Sequence, residues 1–244
     1  MTIKIALLGD QSDEVIAHRA IPPALQLAAR QLSVECSSEW IHTTKINQSN
    51  LSEYSGMWCV PASPYADPLQ MIEAIQYARE SKLPMLGTCG GYQHAVMEFA
   101  QNVLGHSDAG NTEDNSDTKM PLINAMFCSL REKPGQIRFK NPSRLYSIYQ
   151  KELIEEQYNC GFGVNIEYLH LFDDSDMIFT GFDNDSDPRA FELNNHPFFI
   201  GTAYQPERSA LKQENHPLIT GFVKAANEHP LAKNQTHQAA QTSI

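Results

Sequence analysis

The feature that most constrains this chain is the stretch Leu83-Pro-Met-Leu-Gly87-Thr88-Cys89-Gly90-Gly91-Tyr92-Gln93. A short apolar run meets a G-x-C-x-G turn, and an apolar helical face follows at Ala95, Val96, Phe99, Ala100 and Val103. This is the cysteine form of a nucleophile elbow, in which a reactive side chain sits on a sharp strand-to-helix turn. Glycines flank such a turn because it is crowded and its central residue is strained. A helix N-terminus under the sulfur favours the thiolate and lowers its pKa. The amide of Gly90 is expected to face a developing oxyanion. With 13 glycines and 5 cysteines in 244 residues, the pattern arises by chance in roughly one such chain in seventy. A buried structural cysteine in a glycine-rich turn is the plainer alternative, and the flanking strand and helix favour the functional one.

An elbow needs a sheet to stand on. Residues 3–8 form a β-branched run ending at Gly9-Asp10, as a buried parallel strand does on reaching a turn. Apolar residues repeat at helical spacing over 15–30, where Pro22-Pro23 is expected to kink or split the element. Strands are expected at 34–41, 56–60 and 83–86, with a helix at 67–81. This order predicts an α/β fold, an open, mostly parallel sheet flanked by helices. Ligands then belong at the carboxyl ends of the strands, in the loops after Leu8, Val60 and Leu86. Residues 105–118 read as a polar surface loop. Shorter strands are expected at 122–127, 136–139, 164–168, 177–183, 190–193 and 198–204, and a helix at 217–227. No linker divides the chain, so one domain over 1–227 is expected, followed by a poorly ordered polar tail over 228–244.

Charge narrows the functional classes. Eighteen Lys+Arg against 29 Asp+Glu give a net charge of −11, which argues against a partner recognised by neutralising phosphates. No apolar run reaches the roughly 18 residues of a membrane helix, and the N-terminus lacks a signal-peptide pattern. The cysteines Cys36, Cys59, Cys89, Cys128 and Cys160 are odd in number and not closely paired, which predicts reduced thiols in a cytoplasmic protein. No motif calls for a cofactor, and no His/Cys/Asp spacing resembles a metal site.

The string from Leu86 through Cys89 and Gln93 to Gly105 resembles the class I (triad) glutamine amidotransferases, in particular the glutaminase domain of CTP synthase. So do Asp108-Ala-Gly-Asn-Thr-Glu113, Asn195-His-Pro-Phe-Phe199 and Gly221-Phe-Val-Lys-Ala-Ala226. The resemblance implies a flavodoxin-like core, a Cys–His–Glu triad and glutamine as a source of ammonia. It assigns Cys89 as nucleophile, Gln93 and Glu113 to holding the substrate, and Glu113 to its α-ammonium. Gly90 with the backbone of Ala62 and Ser63 would form the oxyanion site, and Tyr65 stands on the substrate side of that loop. The amidoligase half of the synthase has no counterpart here, so the chain alone is not expected to be a CTP synthase. The implied partners are a small amide or amino-acid substrate and a separate synthase subunit, with the protein itself a monomer or homo-oligomer.

The departures from the family pattern cluster at the site. Where the triad's second half normally reads His-Pro-Glu, this chain reads Gln205-Pro206-Glu207. A neutral amide can orient a group but takes no proton at pH 7. A glycine pair of the oxyanion loop is replaced by Ala62-Ser63-Pro64-Tyr65, and the segment 156–165 lacks the family's arginines. The combination resembles a side branch of the family, the CTP synthase C-terminal-region-related proteins. These share the Ser-Pro-Tyr loop and the glutamine, and some carry selenocysteine at the nucleophile position.

Among the remaining histidines, His94 lies about 140° around the helix from Cys89 and points away. His196 reads as a turn residue, His106, His216 and His229 as solvated, and His170 stays open as a base. Three functional readings follow: a thiol-dependent amide hydrolase, a catalytically silent binding module, and a redox thiol at Cys89 with a depressed pKa.

Overall fold

The computed structural model describes residues 2–46 and 51–230, the side chains of 127–131 excepted. The opening apolar run becomes β1 (Thr2–Leu8), fully buried from Ile5 onward, with β2 (Glu35–Ile41) and β3 (Gly56–Cys59) parallel on either side. β4 (Met85–Thr88) pairs with β3, and β10 (Phe199–Thr202) lies parallel beyond it. The order β2-β1-β3-β4-β10 is that of a flavodoxin-like sheet. β9 (Pro188–Leu193), β8 (Met177–Phe182) and β6 (Met120–Phe139) extend it antiparallel. β5 (Ala109–Asn111) joins β6 in parallel, and β7 (Leu153–Val164) pairs with β6 antiparallel.

Helices flank the sheet. α1 (Ile16–Leu32) packs with α5 (Pro217–Glu228), and α2 (Pro68–Ser81) with α3 (Gly90–Asn102). The short helix α4 (Arg144–Tyr149) rests on α5. α2 starts where Asp67 accepts the Gln70 N–H, with Pro68 at the first helical position. At the centre, Trp58 is wholly buried, its Nε1 donating to Thr88 Oγ1 at 3.0 Å and its ring edge-on to Phe222. Trp58 therefore ties the strand that precedes the site loop to the strand that carries the elbow.

Several expectations are corrected. Pro22-Pro23 neither splits nor ends α1, which runs unbroken. The prolines deprive only the carbonyls of His18 and Arg19 of helical partners, and burial of Ala17, Ala20, Ile21, Ala24, Leu25 and Ala28 along one face outweighs that loss. The pieces at 122–127 and 136–139 are one strand: Pro134 and Gly135 stay in register opposite Gln157 and Glu156 of β7, and the register shifts fall earlier, between Ala125 and Leu130 and between Arg131 and Lys133. Residues 164–168 are not a strand: β7 ends at Val164, and Asn165 caps a 3-10 helix over Ile166–Phe172 by accepting the Glu167 N–H. The loop at 105–118 contains β5, and β7 and α4 lie in segments for which no element was expected. On α3, every residue from Gly90 to Ala100 is buried, whereas Val103 stands 45% exposed beyond the last turn. The helix foreseen to end at 227 includes Glu228, and the remainder of the expected tail, from 231, lies outside the described residues.

Candidate active site

The elbow forms where the sequence places it. Cys89 stands between β4 and α3, as the N-cap of α3, with φ 52° and ψ −106°, a conformation that costs a non-glycine residue about 1–3 kcal/mol. Glycines make it feasible. A Cβ on Gly91 would collide with the carbonyl of Cys59, and one on Gly87 would lie 2.8 Å from the carbonyl of Gly91. The turn is anchored by Cys89 N–H donating to Thr202 O at 2.8 Å, across to β10.

A second loop closes over the elbow from β3. It is held by Asp10, at the carboxyl end of β1, whose carboxylate accepts Ala66 N–H (2.6 Å), Thr43 Oγ1–H (2.7 Å) and Thr43 N–H (3.1 Å). Burial pushes the Asp10 pKa up, but these bonds outweigh it and hold it below the ordinary value. His18 of α1 fixes the same loop through Pro61 O at 2.9 Å. Ala62 has a left-handed φ of 79°, and Ser63 packs directly on Gly90.

Between these loops lies a cavity of about 380 Å³ lined by Ala62, Ser63, Cys89, Gln93, Glu113, Asn159, Cys160 and Gln205, among others. Ser63 Oγ donates to Glu113 Oε2 at 2.6 Å. Gln93 Nε2 donates to Cys160 Sγ (3.2 Å) and Phe162 O (3.1 Å), while its Oε1 accepts from Asn111 (3.4 Å) and Ser63 (3.5 Å). Gln93 thus fixes one wall. A slightly larger and more open cavity of about 440 Å³, over Tyr149, Glu156 and His216, contains no cysteine among its described lining residues.

Of the residues singled out from the sequence, Cys89, Gln93, Glu113, Ala62, Ser63 and Gln205 meet at this cavity. Gly90 packs against Ser63 at its edge, and its backbone amide favours the Cys89 thiolate. Tyr65 and Glu207 do not reach it. Tyr65 is buried, its hydroxyl bonded to Val60 O and its ring edge-on to His94. Glu207 is wholly buried, and neither carboxylate oxygen has a side-chain partner. Burial pushes its pKa up to about 8, only partly opposed by its own backbone N–H and by Arg208.

The helix N-terminus does not make Cys89 a ready thiolate. Its thiol is raised well above the ordinary value, first by hydrogen bonding to Cys160, then by burial, and further by the charges of Cys160 and Glu207; the Gly90 amide opposes this weakly. A low Cys89 pKa, the premise of the redox reading, is thereby overturned. Cys160, which the sequence did not single out, is held below the ordinary thiol value by the Cys89 hydrogen bond despite its own burial. Nothing in its neighbourhood on the chain marks it, because β6–β7 pairing alone brings it to the elbow.

The histidines are structural. His94 is buried, its Nδ1 2.9 Å from Gly90 O, and burial lowers it to about 4. His196 is also buried, between Ala78 O and Phe198 N–H. His170 is exposed on the 3-10 helix, with Nδ1 2.9 Å from Glu167 O, and does not line the cavity. His216 is not solvated: Pro217 begins α5, so His216 becomes its N-cap, buried, with Nε2 2.9 Å from Glu156 Oε1. His106 and His229 are half-buried. Four cysteines, Cys36, Cys59, Cys89 and Cys160, are free thiols, and the Cys128 side chain lies outside the described residues.

The chain is similar to known proteins in sequence and in fold. The family model for glutamine amidotransferase class I matches residues 23–225. The CTP synthase of Cytophaga hutchinsonii is 32% identical over 245 residues, covering 95% of this chain and 46% of its own length. That of Christiangramia forsetii is 30% identical over 251 residues, covering 97% and 46%. The chain therefore spans less than half the length of these relatives. Among solved structures, the Trypanosoma brucei CTPS glutaminase domain with bound acivicin has a TM-score of 0.84 at 20% identity, covering 93% of this chain and 94% of that one. The matched region takes in the elbow, the β3 loop and the Gln205–Glu207 turn alike, and this chain belongs to the class I glutamine amidotransferase family.

Proposed function

We propose that this protein is a Cys89-dependent amide hydrolase or amidotransferase acting on glutamine or a related small amide, with an altered triad of Cys89, Gln205 and Glu207. The observation that carries the reading is the strained elbow thiol facing a cavity shared with Glu113 and the Ala62–Ser63 backbone. The Cys89 sulfur attacks the amide carbon, the bond to nitrogen breaks, ammonia leaves and a thioester remains; water then releases the acid. The Gly90 N–H and the Ala62–Ser63 backbone receive the charge that develops on oxygen, and Glu113 receives an ammonium group of the substrate. Gln205 orients the leaving nitrogen or the water, since its amide carries no exchangeable charge. Glu207, near-neutral at pH 7, supports the turn without contacting substrate.

Support comes from family membership and from the site residues that meet at one cavity. The relatives' synthase function resides in proteins about twice this length, so a separate synthase subunit is the partner class this reading implies, to be sought by co-purification. The direct experiment is incubation with a chloromethyl ketone analogue of glutamine, read by intact mass. One adduct on the wild type and none on Cys89→Ala is expected. Equal labelling of both, or of neither, overturns the hydrolase. In the latter case, stabilisation by glutamine without product would mark a silent binding module.

A further inference from the structure

Two cysteines, not one, face the cavity. Cys160, on β7, and Cys89, on the elbow, both line it, and each is the strongest influence on the other's proton. The Cys89 thiol also lies 3.6 Å from the carbonyl of Asn159, the residue before Cys160. The Cys160 sulfur accepts the Gln93 Nε2–H at 3.2 Å and sits 3.0 Å from Phe162 O. Both residues are about 95% buried as residues, yet each contributes to the wall of a space that admits a small molecule.

We infer that Cys89 and Cys160 form a redox-active dithiol that a small hydroperoxide converts to a disulfide, reversibly capping the nucleophile. The Cys160 sulfur, which accepts the Gln93 Nε2–H, attacks the outer peroxide oxygen. The O–O bond breaks, the alkoxide leaves as alcohol after taking a proton, and Cys160 carries a sulfenic acid. The Cys89 sulfur then attacks that sulfur. The S–S bond forms, the S–O bond breaks, and hydroxide departs with the Cys89 proton as water. Two thiols and one hydroperoxide give one disulfide, one alcohol and one water, with two electrons passing from sulfur to the peroxide. An external thiol reverses the bridge by exchange.

The contrast with the other thiols supports this pair. Cys36 is pushed up to about 11 by burial alone, and Cys59 is likewise raised by burial. Cys160 alone among the described cysteines is lowered, and its pairing with the Cys89 side chain is the first cause. Amide chemistry at Cys89 is not required for the inference, which concerns a bond between two side chains.

The test treats the full chain with stoichiometric tert-butyl hydroperoxide, alkylates residual thiols under denaturing conditions, and maps peptides without reduction. The expected result is a mass lower by two hydrogens, a peptide joining Cys89 to Cys160, and its complete loss on adding dithiothreitol. In Cys89→Ser, dimedone should trap a sulfenic acid on Cys160. Cys36→Ser, away from the cavity, should leave the bridge intact. Recovery of both cysteines as alkylated thiols, over-oxidation of Cys89 beside an alkylated Cys160, or a bridge from Cys89 to Cys59 or Cys128 overturns the inference.

Discussion

Gln205 reaches the cavity, while Glu207, two residues on, lies sealed beneath it with both carboxylate oxygens lacking a side-chain partner. In the family pattern a histidine stands at 205, and its imidazole would bridge the carboxylate to the thiol. Replacing it with an amide leaves a fully buried acid that stays mostly protonated at pH 7 and a thiol that keeps its proton.

Gln205→His restores a proton acceptor at the position that lines the cavity. Cys89 alkylation at pH 7.5 should rise by about tenfold or more, as an imidazolium partner favours the thiolate. Iodoacetamide kinetics with peptide mapping measure it. An unchanged rate would show that the imidazole at 205 does not reach the sulfur.

Glu207 also controls stability. Its folded pKa, about 8, lies above its unfolded value of 4.5, so the folded state binds the extra proton and stability falls as pH rises from 4.5 towards 8. Glu207→Gln removes that dependence. Relative to wild type, the variant should gain on the order of 3 kcal/mol between pH 5 and pH 8, read as the difference in denaturant midpoints. Buried His94 and His196, each lowered to about 4, lose stability on acidification instead, and they cancel in the comparison. A constant difference across this range refutes a buried neutral acid.

Much of this site was legible in the chain because it depends on short-range chemistry. Gly87, Gly90 and Gly91 around Cys89 announce a turn that only small residues permit, and the apolar run at 3–8 announces a buried strand. What was not legible depends on pairing across distance. β7 presents alternating exposed positions, at Leu153, Glu155, Gln157 and Asn159, so its apolar signal is weak. Cys160 meets Cys89 only after that strand is laid against β6. The helical position of Cys89 predicted a thiolate, and the sulfur and carboxyl group that reverse the prediction come from segments 70 and more residues away.

Cys160→Ala removes the largest influence holding the Cys89 proton. Alkylation of Cys89 at pH 8 should quicken by several-fold, because its thiol then lacks the Cys160 side chain that most strongly holds its proton. A slower rate would assign Cys160 a supporting role at the nucleophile instead.

Asp10→Ala takes three acceptor bonds from Thr43 and Ala66, the supports of the loop over the elbow. A loss of about 2–3 kcal/mol is expected by denaturant titration. The loosened Ala62–Ser63 backbone should also slow labelling by the glutamine analogue. Full stability in the variant contradicts that support.

The most direct test of the account is the pH profile of Cys89 alkylation in the wild type, resolved by peptide mapping from pH 6 to 10. A nucleophile elbow whose thiol keeps its proton for want of an imidazole predicts slow reaction at neutral pH, with the rate climbing about tenfold per unit through pH 9. A rate already level below pH 7 would mean a preformed thiolate and contradict it, as would a Cys89 that stays unmodified throughout.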